Sequence, residues 1–260
     1  MSIAKYCFNL FLLTFTLIMP VSCSSLNPSK TGSVPPDHKL FDVLLEKYVD
    51  EYGNVDYKGF LEDEHELNSY LDQLKDNPPD VDKWSTNDQV AYWINVYNAF
   101  TVKLILDNYP VKSIKDIGAK IQIPFINSPW DIKFINIAGE EYDLNNIEHN
   151  ILRKNFDEPR IHFAIVCASY SCPKLRAESY TGQQLDAQLD AQAQEFLADT
   201  TKNEISSNAI KVSKIFSWFK GDFTKNGTLI AFLNQYAPLS IDPKAKISYM
   251  DYDWALNEQD

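Results

Sequence analysis

The segment from Ser85 to about Asn108 constrains the chain most, because it is the longest stretch whose apolar residues recur at helical spacing. Val90, Trp93, Ile94, Tyr97, Phe100, Leu104 and Ile105 recur three and four apart, which places them on one face of a helix. Ser85, with Asp88 three residues on, resembles a capping box in which the acid replaces the usual Glu or Gln, and Pro110 stands just beyond the end. Amid these apolar residues are Asn95 and Asn98, three apart and therefore on neighbouring helical positions. A polar amide in such surroundings costs free energy unless it is hydrogen-bonded. Two roles fit: tying neighbouring loops to the helix, or orienting a catalytic histidine and binding a polar substrate.

Two amphipathic helices precede this one, over His38–Asp50 and Tyr57–Lys75, the second ended by Pro78-Pro79. The middle of the chain changes character. Short strands are expected at Ile121–Phe125, Ile132–Ile137 and Glu140–Tyr142, the last two joined by a turn at Ala138-Gly139. Asp143 caps a helix to about Asn155, and Arg160–Cys167 is an apolar run that reads as a strand buried on both faces. A helix to about Ala198 follows, then strands near Ile205 and Ile210–Val212, helices at Lys214–Phe219 and Thr228–Tyr236, and a last strand at Lys246–Asp251. Helices first, then strands and helices interleaved, predict an α+β fold: a single domain with N-terminal helices followed by a small mixed or antiparallel sheet packed with helices.

The N-terminus reads as an address. Lys5, an apolar run from Leu10 to Met19 and the small residues before Cys23 form a secretory signal, too short for a permanent membrane span. Val21-Ser22-Cys23 resembles the lipobox of bacterial lipoproteins, whose cysteine is acylated, although Pro20 stands where that box usually has Leu. Residues 1–23 are therefore expected to be a lipoprotein signal with Cys23 lipidated, 24–37 a flexible Ser/Pro-rich tether, and 38–260 one globular domain. By resemblance to Gram-negative lipoprotein sorting signals, Ser24-Ser25 implies the periplasmic face of the outer membrane; the alternative is ordinary cleavage to a secreted or periplasmic soluble protein. Removing residues 1–22 takes away one cation, Lys5, so the net charge moves from -12 to -13. Such a domain repels nucleic acid. With 14 Tyr, 15 Phe and 5 Trp against 8 Gly, a packed globule is expected rather than a repeat or fibre.

Cys7 and Cys23 fall in the signal, leaving Cys167 and Cys172 to the domain. A thiol at the end of the expected strand is placed to act as a nucleophile if a base makes it a thiolate. His149 or His162 could be that base, with Asn98 an orienting amide. Arg176, Arg153, Glu148 and Asn95 are the candidate substrate contacts, and His149 and Arg153, four apart, share a helix face. In an oxidising compartment a Cys167–Cys172 disulfide is the rival reading, and inert buried thiols a third. No cofactor is expected, and no pair of ligand-type residues shows tight metal spacing. His38 and His65 read as solvated surface, and Trp218, Tyr252 and Trp254 as core aromatics.

Six segments together resemble the bacterial domain of unknown function 547 family: Tyr92–Ala99, Ile147–His149 with Leu152-Arg153, Arg160–Ala164, Ser171–Arg176, Ile215–Phe219 and Tyr252–Asn257. They run in the family's order from about His38 to Asn257. The resemblance identifies the domain and implies no activity.

Two functions are carried forward. One is a thiol-dependent hydrolase or transferase acting on acyl or peptide bonds, with Cys172 as nucleophile. The other is a non-catalytic envelope binding or assembly module with a structural Cys167–Cys172 disulfide. Expected partners are the membrane, through the lipid anchor, and an envelope protein, peptide or glycan.

Overall fold

The computed structural model describes residues 34–118 and 128–259. The expected signal with Cys23, the tether up to residue 33 and the expected strand Ile121–Phe125 lie outside the described residues. Helices α1 (Lys39–Tyr48), α2 (Tyr57–Phe60) and α3 (Glu64–Asp76) lead into α4 (Thr86–Leu106). The helix expected over Tyr57–Lys75 is interrupted by a 3-10 turn, Leu61–Asp63, where Asp63 accepts hydrogen bonds from Lys47 and the Tyr48 hydroxyl. The start of α4 follows the sequence: Ser85 Oγ accepts the Asp88 N–H at 3.1 Å. Val90, Ile94, Tyr97 and Ile105 are buried as expected, and so are Val96, Val102 and Leu106 on other faces. Helix α4 therefore runs through the core rather than along its surface.

A hairpin of β1 (Ile135–Ile137) and β2 (Glu140–Tyr142) follows, turned at Ala138 and Gly139 with φ of 55° and 88°. Two positive φ values in a two-residue loop match the twist that an antiparallel pair needs. Asp143 Oδ1 then accepts the Asn146 N–H at 2.6 Å and opens the next helix. That helix is wound as a π turn over Asn146–Leu152, with the Arg153 N–H bonded to the Glu148 carbonyl, and it ends in α5 (Arg153–Asn155). Helix α6 (Leu185–Ala198) precedes β3 (Glu204–Ile205) and β4 (Ala209–Val212). Short helices α7 (Ile215–Trp218), α8 (Lys220–Phe223) and α9 (Leu229–Leu233) separate β4 from β5 (Lys246–Tyr249). β4 pairs antiparallel with β3 and parallel with β5, so this small sheet is mixed. The fold is α+β.

Two apolar clusters form the interior. The larger surrounds α4; the smaller surrounds Phe163 and draws on β4, α7, α8 and α9. Helix α6 serves both, with Leu185 and Leu189 in the first and Phe196 and Leu197 in the second. The seam between them holds the cleft described below.

The expected strand Arg160–Cys167 is corrected. Pro159–Phe163 is a 3-10 turn, and the extended residues beyond it join no sheet. Their backbone is satisfied by a side chain instead: Asn98 Nδ2 donates to the Ala164 carbonyl and Asn98 Oδ1 accepts the Val166 N–H, both at 2.9 Å. Asn95 does the same one turn earlier on α4, donating to the Tyr180 carbonyl at 2.8 Å and accepting its N–H at 2.9 Å. An apolar run looks alike whether a strand or an amide takes its backbone groups, so periodicity cannot tell them apart. His38 is also corrected: it is half-buried, bonded through Nδ1 to the Tyr70 hydroxyl at 2.7 Å, and burial brings its pKa down to about 4.

Removing the Asn98 amide leaves two buried backbone groups without partners, each worth roughly 1–3 kcal/mol. Asn98→Ala is expected to lower the unfolding free energy by about 2–4 kcal/mol in urea titration, while Asn108→Ala at the exposed end of the helix changes it by less than ~0.5 kcal/mol. Equal effects from the two would refute the assignment.

Candidate functional site

The cysteine loop is held from both sides. Asn98 fixes the chain entering it, and the C-terminal segment fixes the far side. Tyr170 N–H donates to the Ala255 carbonyl at 2.7 Å, Ser171 N–H to Asp253 at 3.2 Å, and Asn257 N–H to Ala168 at 3.4 Å. Asn257 is itself fixed by the Tyr57 hydroxyl and the Gly53 carbonyl. Ala168 carries a φ of 55°, an uncommon value for a residue with a Cβ, and this bend folds Cys172 back over Cys167. The two sulfurs lie 2.6 Å apart as free thiols.

Cys172 Sγ sits at the centre of a hydrogen-bond set. It accepts the Cys167 backbone N–H at 3.0 Å and the Tyr252 hydroxyl at 3.4 Å, and Tyr252 in turn accepts from the Ser169 hydroxyl at 3.0 Å. Burial acts to raise the Cys172 thiol pKa. The bonds from the Cys167 thiol, Tyr252 and the Cys167 N–H outweigh burial and hold it below the ordinary thiol range. Cys167 moves the opposite way, because it donates to Cys172 and because it is buried. Of the two thiols, Cys172 is thus the one that releases its proton more readily.

Both cysteines line a cleft of about 220 Å³. Glu148, His149 and His162 line it too, and Trp130, Trp218, Phe219, Tyr252 and Trp254 form its walls. The aromatic residues expected in the core are therefore corrected: Trp218 is 45% exposed, and Tyr252 and Trp254 are half-buried at the cleft. They pack on one another with tilted rings, Trp218 against Tyr252 at 4.8 Å and Tyr252 against Trp254 at 4.6 Å between ring centres.

The π turn places Glu148 inward and His149 outward, half-exposed. His162 is buried and stacks on Phe219 with ring centres 4.0 Å apart. Its Nε2 lies 2.7 Å from Asp222 Oδ2. A carboxylate only accepts, so Nε2 carries the proton, and Nδ1 keeps a lone pair. No protein group bonds that Nδ1. Its neighbour is Glu148 Oε1 at 4.0 Å, too far for a hydrogen bond. Burial lowers the His162 pKa, so the ring is neutral. Asp222 is held by Arg153 as well, Nε to Oδ2 at 2.6 Å and Nη2 to Oδ1 at 3.1 Å. Although burial opposes it, the bonds from His162 and Arg153 keep the Asp222 carboxyl far below the usual range. Arg153 Nη1 also donates to His149 Nδ1 at 3.1 Å, which joins the two residues expected to share a face. Burial first, then the Arg153 charge, lowers the His149 pKa.

Of the residues singled out in the sequence, Cys167, Cys172, Glu148, His149 and His162 meet in the cleft, with Arg153 behind them. Asn95 and Asn98 are committed to backbone groups, and Arg176 lies outside the cleft, paired with Glu178 and bonded to Gln192. No histidine nitrogen is within hydrogen-bond distance of either sulfur. Asp222 and Trp130 were not anticipated. Asp222 lies in a four-residue helix, too short to show a periodicity. Among the described residues no three His, Cys, Asp or Glu side chains are grouped to hold a metal ion, and no helix is long and apolar enough to cross a membrane.

Burial raises the Glu148 carboxyl pKa from 4.5 to about 7. The folded state then keeps that proton after the unfolded chain has lost it, so this group weakens the fold as pH rises from about 4.5 to 7, by on the order of 3 kcal/mol. Glu148→Gln is expected to remove that slope in denaturation series across this range. A variant whose slope matches the parent's would contradict a buried, neutral Glu148.

The family model described as "Protein of unknown function, DUF547" matches residues 81–197. The matched span carries α4 and its two asparagines, the π turn, His162 and both cysteines; Asp222, Tyr252 and Trp254 lie beyond it. No curated protein and no solved structure matches the chain. Over residues 81–197, a little under half of its length, the chain is similar to the DUF547 family of proteins of unknown function.

Proposed function

We propose that the cleft is the active site of a thiol-dependent hydrolase or transferase acting on acyl or peptide bonds, with Cys172 as nucleophile and His162 as general acid–base. The observation that carries this reading is the His162 ring. Its tautomer is set by Asp222, and its free, buried Nδ1 shares one cleft with a thiol biased towards thiolate. A nucleophile, a base and a third group orienting the base are the parts that acyl transfer needs. His162 Nδ1 would take the thiol proton as Cys172 attacks the carbonyl carbon, and would return it to the leaving group as the C–S bond forms and the acyl bond breaks. In the absence of substrate the sulfur and ring need not touch, since such contacts often tighten only in the complex. Asn98 serves by positioning the loop. The export signal and Cys23 support an envelope lipoprotein, held at the periplasmic face of the outer membrane, as the setting for this chemistry.

The 2.6 Å approach of the two sulfurs favours a second reading, a structural Cys167–Cys172 disulfide in an envelope binding or assembly module.

p-Nitrophenyl acetate separates the two. The purified native protein is expected to gain one acetyl group on Cys172, located by peptide mass spectrometry, and Cys172→Ser to gain none. His162→Gln, checked for native circular dichroism, is expected to slow acetylation by about 10²–10⁴-fold. A quantitative Cys167–Cys172 disulfide in the native protein, with no acetylation after mild reduction, would overturn the enzyme reading and support the module.

A further inference from the structure

The polar end of the cleft, where the proposed base His162 meets Glu148, has a chemical bias of its own. Two of its buried polar groups, the Glu148 carboxyl and His162 Nδ1, lie 4.0 Å apart. The His162 nitrogen can only accept, and it has no partner. A buried acceptor without a donor costs free energy until something supplies one. Phe219 lies against His162 at this end, and Trp130, Trp218, Tyr252 and Trp254 line the rest of the cleft. Aromatic faces attract cations, and this cluster already receives two: Lys115 Nζ lies 4.3 Å from the centre of the Trp254 ring, and the Arg153 guanidinium carbon 5.1 Å from that of Phe219.

Acceptors at the end and π faces along the sides fit a group that donates hydrogen bonds and carries positive charge. A neutral hydroxyl would satisfy one acceptor and gain little from the rings. A carboxylate or phosphate would meet the ionised Glu148 with like charge. We infer that the Glu148–His162 end of the cleft is a subsite for a primary ammonium group, so that the substrates of this site are amides or acyl acceptors bearing an alkylamine. The substrate assignment rests on the acyl-transfer reading; the binding site itself does not. In that reading the amine is the leaving group or the acceptor. As the Cys172 C–S bond forms the C–N bond breaks, and the proton that passed from the thiol to His162 Nδ1 goes to the departing nitrogen.

The test uses n-butylammonium chloride and 1-butanol as probes on the Cys172→Ser protein, which cannot turn over, followed by tryptophan fluorescence and calorimetry at constant ionic strength. Saturable binding of butylammonium, at least about tenfold tighter than butanol, is expected. Glu148→Gln with native circular dichroism is expected to lose that preference. Because the Glu148 carboxyl must be ionised to pair with the cation, affinity should rise roughly tenfold between pH 6 and pH 8, the amine staying protonated throughout. The groups facing Glu148 over that range are His149 and Arg153 on its own helix, Tyr97 on α4, His162, Asp222 and the two cysteines. Equal affinity for amine and alcohol, or an unchanged preference in Glu148→Gln, would overturn the subsite. Amine binding by a protein whose Cys172 takes no acetyl group would sink the enzyme reading and leave the subsite standing; acetylation without amine preference would do the reverse.

Discussion

The structure depends on replacing sheet with side-chain amides. From Phe156 to Gln184 the chain forms no strand, yet much of it is buried and every buried N–H and carbonyl needs a partner. Asn98 and Asn95 on α4 bind the backbone at Ala164, Val166 and Tyr180, and Gln192 on α6 donates to the carbonyls of Phe163 and Lys174 at 2.9 and 3.0 Å. The pattern recurs beyond this region. Asn203 joins Phe196 to Ser213, and Asn257 joins the turn at Gly53 to the C-terminal segment. An amide held this way is as directional as a strand pairing, but it fixes only one or two residues. The segment between such anchors is free to bend, and at Ala168 it does.

That bend connects the scaffold to the chemistry. With Ala164 and Val166 tied to α4 and Ser169 to Ser171 tied to the C-terminal segment, the six residues from Cys167 to Cys172 have little freedom left. The loop therefore presents a backbone N–H and a tyrosine hydroxyl to one sulfur. Across the cleft the smaller core supplies the acid–base side. Phe219 stacks under His162, and Asp222, in the same turn of chain, holds its Nε2. The cleft is an interface between two cores, a usual place for a binding site. Arg153 keeps Asp222 ionised, so the proton on Nε2 stays there, and the lone pair on the buried Nδ1 stays turned towards Glu148.

Much of this was legible in the sequence, for identifiable reasons. The length and cap of α4, the hairpin turn at Ala138-Gly139 and the Asp143 cap are local signals, and each appears where expected. Cys167, Cys172, Glu148, His149 and His162 stand out because these reactive residue types crowd a short stretch of chain, but the sequence left open whether they form a pocket. Three things were not legible. The apolar run Arg160–Cys167 has the composition of a strand, and only the distant Asn98 reveals that an amide takes the strand's place. Asp222 is one of 36 acidic residues, and nothing local marks it as the one facing His162. Trp218 and Trp254 have the composition of core but the position of a wall, which depends on how the two cores meet.

The central claim is the state of one ring. Long-range proton–nitrogen NMR on protein labelled with nitrogen-15 histidine reads the tautomer and charge of His162 directly. A neutral ring at pH 7 with its proton on Nε2 is expected, shifting to another state when Asp222 is replaced by Asn. A ring protonated on Nδ1, or an imidazolium at that pH, would mean that no free lone pair faces the cleft, and the assignment of His162 as the base beside Cys172 would fall.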